Sequence, residues 1–134
     1  MNVFRRMEAD YEAFARFYGK KLSGKDKIMR YLVVGSEGPS FASVEEEIKV
    51  LDEIVLPSFD HLMELEADNK ILAGGLPVGD RAFVFIIEAH SNEELDLLLR
   101  GIPMWASLQW EVTPLQTFAR RAEYERNAVN ELKK

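Results

Sequence analysis

Two short stretches punctuate this chain, S-V-E-E at residues 43–46 and S-N-E-E at residues 91–94. In each, the serine can accept a hydrogen bond from the backbone N–H three residues on, and the glutamate can reach back, so each opens a helix. Around them stand runs rich in β-branched, aromatic and aliphatic residues, the composition of strands. These are "IMRYLVVGS" (28–36), "ILAGGLP" (71–77), "RAFVFIIEA" (81–89) and "ASLQWEV" (106–112). The second and third are joined by "PVGD", a hairpin turn. The order is β-α-β-β-α-β, and few architectures accommodate it.

The helix opened by Ser43 continues through Ile48, Leu51, Ile54 and Val55. Pro57 falls inside that pattern and predicts a kink or break, because it lacks an N–H and its ring crowds the preceding turn. A second helical piece follows, with Phe59, Leu62, Met63 and Leu65 apolar. The helix after Ser91 runs through Leu99, and Gly101 is placed as the residue just past its end. Along the last strand Leu108, Trp110 and Val112 face one way, and Ser107, Gln109 and Glu111 the other. Thr113 and Pro114 read as the N-cap and first residue of a terminal helix with Leu115, Phe118, Ala122, Val129 and Leu132 on one stripe. Ahead of the first strand, residues 3–22 carry Phe4, Met7, Tyr11, Phe14 and Tyr18 at helical spacing, and "GKKLSGKDK" (19–27) reads as a solvated linker.

The expected fold class is α+β, a ferredoxin-like split βαβ arrangement. The expected organisation is a single domain over 1–134, with an N-terminal helix and linker (1–27), the core (28–114) and a C-terminal helix (115–134). Two core helices cover one face of a four-stranded sheet, so the other face needs a cover. A second subunit's sheet supplies one, and a homodimer or larger homo-oligomer is expected.

A net charge of −6 argues against a nucleic-acid groove, which needs clustered Lys and Arg. The absence of cysteine removes disulfides, thiolate nucleophiles and thiolate metal sites. No apolar run approaches the ~20 residues of a membrane span, and the charged N-terminus is unlike a secretory leader. The expected location is the cytoplasm, with no membrane partner. Gly74, Gly75 and Gly79 lead from strand to strand, whereas phosphate loops lead into a helix. The two histidines lie on different elements with no metal-ligand spacing.

Over residues 79–115, "GDRAFVFIIEAHSNEELDLLLRGIPMWASLQWEVTPL" resembles the muconolactone Δ-isomerase family. The shared features are a strand ending in an acidic residue, Ser then Glu opening a short helix, a proline followed by a bulky pair, and "EVTPL". The resemblance implies a dimeric α/β barrel and a cofactor-free isomerase that shifts a proton in a small lactone or related catabolic acid. The strand that in those isomerases carries Arg, His and Trp reads "ILAGGLP" here, with no such side chain. The alternatives are a non-catalytic small-molecule-binding or interaction domain of the same fold and a cofactor-less monooxygenase-like barrel.

An allylic proton shift needs a base, an acid and a donor for the developing enolate oxygen. Glu111 and His61 are the candidate proton carriers. Gln109 is two residues from Glu111 on one strand face, and Trp105 precedes them as a pocket wall. Tyr31 on the first strand and Arg81 at the start of the third are the remaining candidate ligand contacts. No cofactor is implied.

Overall fold

A computed structural model describes residues 27–134. The expected N-terminal helix, and all but the last residue of the expected linker, lie outside the described residues. Contacts divide the chain into a unit spanning Ile28–Leu115 and a second made of Met1–Lys27 and Gln116–Lys134.

The first unit contains strands β1 (Met29–Ser36), β2 (Ile71–Gly75), β3 (Phe83–Ala89) and β4 (Gln109–Leu115). They form one antiparallel sheet in the order β2-β3-β1-β4, the ferredoxin-like arrangement. Helices α1 (Val44–Val50) and α2 (Leu56–Ala67) connect β1 to β2, and α3 (Asn92–Arg100) leads from β3 towards β4. Both capping serines work as the pattern predicts. Ser43 Oγ accepts from Glu46 N–H at 3.1 Å and Ser91 Oγ from Glu94 N–H at 3.0 Å. The glutamates reach back one residue further than a standard box, accepting from Ala42 N–H and His90 N–H.

Alternation along the strands assigns the two sheet faces. Tyr31 and Val33 on β1, and Phe83, Phe85, Ile87 and Ala89 on β3, are buried. They pack with Leu65 of α2, Leu95 and Leu99 of α3, and Ile102, Met104 and Leu108 beyond it. Register places Trp110 opposite Gly35 and Val112 opposite Val33, on that same core face. The Trp110 ring lies flat over Gly35, where an added Cβ would meet the ring at 2.8 Å. The other face presents Leu32 and Val34 beside Val84 and Ile86, all half-buried, with an Arg30–Glu88 ion pair at 3.1 Å at one end.

Three boundaries differ from the sequence reading. The helix does not break at Pro57. Instead a π-helical segment, Leu51–Val55, joins α1 to α2 in one helical run over 44–67. The wider turn makes room for the proline ring, and Ser58 Oγ donates to the Ile54 carbonyl at 2.7 Å within the disturbed ladder. Thr113 and Pro114 belong to β4; the terminal helix α4 (Phe118–Leu132) starts later, with Thr117 Oγ1 accepting from Arg120 N–H at 3.1 Å. A proline is tolerated on an edge strand and favours an extended residue before it, so Thr113-Pro114 fits the strand. Gly101 caps α3 with an ordinary right-handed φ of −71°. Its lack of a side chain serves packing, since a Cβ there would lie 3.2 Å from His61 Nε2.

The remaining unit is described by α4, which has no buried residue and carries an Arg121–Glu125 pair at 2.9 Å on its surface. No described helix is long and apolar enough to cross a membrane.

Candidate functional site

The residues singled out by their chemistry do not gather in one place. Gln109 and Glu111 do share a face, opposite Ser36 and Val34, but it is the open face of the sheet, and both are exposed. Trp105 sits in a one-turn 3₁₀ segment before β4 and packs against the core. Its carbonyl accepts from Trp110 Nε1 at 3.0 Å, and the Arg100 guanidinium lies 4.5 Å over its ring. Arg81 lies in the β2–β3 connection, donating from Nη1 to the Pro39 carbonyl at 3.3 Å and lying over the Phe41 ring.

Tyr31 is buried in the core, where its hydroxyl donates to Asn92 Oδ1 at 2.5 Å, with Met29 Sδ 3.3 Å away. Burial, reinforced by the charge of Glu93, pushes its phenol above the usual value near 10. A folded-state pKa above the unfolded one means the neutral phenol supports the fold. That support is complete below about pH 10 and is lost as pH rises through the folded value. Tyr31→Phe is therefore expected to remove from the phenolate absorbance curve a tyrosine that titrates above the usual range. It should also flatten the loss of stability above pH 10. An unchanged curve would show that Tyr31 titrates normally.

His61 is half-buried on α2, and its Nε2 is fully buried with no hydrogen-bond partner. It faces Gly101 at the end of α3. Next to it on the helix, Ser58 is wholly buried, and its Oγ accepts from Met104 N–H at 2.9 Å. His61 and Ser58 thus lie on the stripe of α2 that locks onto the α3 end of the core.

The next stripe of the same helix does something else. Phe59, Leu62, Met63 and Glu66, spaced i, i+3, i+4, i+7, form one wall of a half-open cleft of about 100 Å³. Ile71, Phe83 and Phe85 form its floor, and Gly74, Gly75 and Leu76 its outer edge. The cleft stays open where Gly74 and Gly75 of β2 bring no side chain to fill it. Gly74 lies opposite Phe85 so closely that a Cβ would stand 2.5 Å from the Val84 carbonyl oxygen and 2.6 Å from Phe85 Cβ. The Phe59 and Phe83 rings meet edge to face, with centroids 5.4 Å apart, and stiffen the wall. Glu66 is the one ionisable group on the lining, and no lining side chain is a cation.

The sequence pattern marks Phe59, Leu62 and Met63 only as apolar residues of a helix and the glycines as a strand-to-strand connection, and it does not single out Glu66. The signal that marks the site is their combination, an apolar helix stripe ending in a carboxylate opposite a strand that ends in two glycines. Among the described residues, no three or more His, Asp or Glu side chains are placed to hold a metal ion.

The helices α1 to α3, all of β2 and β3, the cleft and β4 fall within residues 44–121, the segment matched by the family model described as muconolactone delta-isomerase. No curated protein matches the chain significantly. The family match spans more than half of the chain. This chain belongs to the muconolactone delta-isomerase family.

Proposed function

We propose that the protein is a cofactor-free isomerase that moves a proton along a small unsaturated lactone held in the α2/β2–β3 cleft, with Glu66 as the base. The observation that carries this reading is that Glu66 is the only proton-carrying side chain on an otherwise apolar lining inside the family-matched segment. In a β,γ-unsaturated lactone the carboxylate removes a proton from the carbon beside the carbonyl, and the electrons pass into a dienolate. The same group, now a carboxylic acid, returns the proton to the γ-carbon, leaving the conjugated lactone. No lining side chain is a neutral donor, so hydrogen bonds to the enolate oxygen come from the backbone of β2 around Gly74 and Gly75. The test is conversion of such a lactone to its conjugated isomer, followed by absorbance. Acceleration over buffer supports the reading, and a rate equal to buffer overturns it.

A second reading keeps the binding and drops the chemistry. It is favoured by β2, where Ile71–Gly75 offers no side chain to work as the partner acid. Saturable binding of the lactone with no conversion is its signature. Two rival bases stand outside the cleft: His61, for its buried unpartnered Nε2, and Glu111, which shares the open sheet face with Gln109. Each predicts its own loss of activity on substitution.

The protein also acts as a homodimer in this reading, a second copy covering the open face at Leu32, Val34, Val84 and Ile86. Ile86→Glu would put a charge into that contact. It is expected to convert the assembly to monomers by light scattering while leaving the circular dichroism spectrum intact. A wild-type mass equal to one chain would contradict the dimer.

A further inference from the structure

The cleft wall holds one group whose chemistry the isomerisation leaves unused, the Met63 thioether. Met29, Met63 and Met104 are the methionines among the described residues, and their surroundings differ. Met104 is 5% exposed and belongs to the core. Met29 is half-buried against that core, with its Sδ 3.3 Å from the Tyr31 hydroxyl. Met63 is 55% exposed while lining the half-open cleft, four residues after Phe59 and three before Glu66. Its side chain is therefore reachable from water and part of the ligand space at once.

A thioether so placed is open to a two-electron oxidant such as hydrogen peroxide. A sulfur lone pair takes one peroxide oxygen, the O–O bond breaks, and the other oxygen leaves as water. The sulfur gives up the two electrons that the peroxide gains, so no further reactant is needed. The product is a polar sulfoxide in place of an apolar, flexible side chain. Apart from Glu66 the remaining lining is aromatic and aliphatic, and no lining side chain can donate a hydrogen bond to the new oxygen. Turned inward, that oxygen is left unpaired beside the ring of a ligand; turned to the mouth, it keeps its water and stands in the path of entry.

We propose that Met63 is a peroxide-sensitive modification site, and that its conversion to the sulfoxide weakens ligand binding in the cleft. The inference rests on the cleft being the ligand site of the proposed isomerase, and it adds an oxidative control to that site.

The test treats the whole chain with hydrogen peroxide, quenches with catalase at intervals, and maps the added oxygen by peptide mass spectrometry. Met63 is expected to be oxidised about tenfold faster than Met29 and Met104. Benzyl alcohol, a small ring that serves as the probe, is titrated before and after treatment and followed by ligand-observed NMR. Its affinity should fall about three- to tenfold, the scale of a lost thioether–ring contact. Each protein is referred to its own untreated affinity, and in Met63→Leu peroxide should produce no fall. Oxidation of Met29 or Met104 ahead of Met63, an affinity unmoved once Met63 is oxidised, an equal fall in Met63→Leu, or no binding of benzyl alcohol to the untreated protein would each overturn the proposal. The measurements need no turnover, so the two readings fail separately. A peroxide-dependent loss of binding without lactone conversion keeps the modification site and sinks the isomerase. Lactone conversion at the full rate after complete oxidation of Met63 sinks the control and keeps the isomerase.

Discussion

Glu66→Gln is expected to lower the isomerisation rate by about 10²–10⁴, the range spanned by a positioned general base. The amide keeps the size and polarity of the side chain and removes only its ability to take a proton. Glu66 is exposed near the end of α2 and takes no part in the core, so the variant should keep the wild-type melting temperature. A loss of rate without a loss of stability separates a chemical role from a structural one. If Glu66→Gln retained the full rate, Glu66 would not be the base and the chemistry would move to His61 or Glu111 outside the cleft.

Phe85→Ala is expected to cost about 3–5 kcal/mol of unfolding free energy, as for other buried Phe truncations. Phe85 is 4% exposed, lies opposite Val33 on β1 and Gly74 on β2, and forms the floor of the cleft. Its neighbours cannot close the hole readily. Gly74 brings no side chain, and its backbone already touches β3. For a domain of this size the melting temperature should fall by more than about 10 °C. Leu72→Ala, at a largely exposed position on the same sheet, should change stability by less than about 1 kcal/mol. Equal effects from the two changes would contradict the face assignment.

That face assignment was readable from the sequence because strands alternate with a period of two. Tyr31, Val33, Phe83, Phe85 and Ile87 had to share one face, and Gln109 and Glu111 had to leave Trp110 on the other. The helix starts were readable because a capping serine and glutamate are local chemistry. Thr113-Pro114 was misread because proline suits both a first helical turn and an edge strand, and only pairing with Tyr31 and Leu32 decides between them. At Pro57 the sequence allowed a kink or a break, and the break is absent because a local widening of the helix precedes the proline.

The site was less legible for a different reason. Candidates were sought among ionisable and aromatic side chains, and the fold distributes these. Tyr31 and Trp105 go to the core side, Glu111 and Gln109 to the open face, His61 to the contact with Gly101, and Arg81 to the loop at Pro39. The cleft is made instead by missing side chains at Gly74 and Gly75, which acquire meaning only when Phe59, Met63 and Glu66 are brought opposite them. That juxtaposition is tertiary, and no local pattern in the sequence encodes it.

The most direct test of Glu66 as the proton carrier is exchange of the ligand's allylic hydrogen with solvent deuterium, followed by NMR on a neutral β,γ-unsaturated lactone. Exchange should be accelerated by the wild type, abolished in Glu66→Gln, and unchanged in His61→Gln and Glu111→Gln. Exchange that persists in Glu66→Gln and disappears in either of the other two variants would contradict the account and move the chemistry out of the cleft.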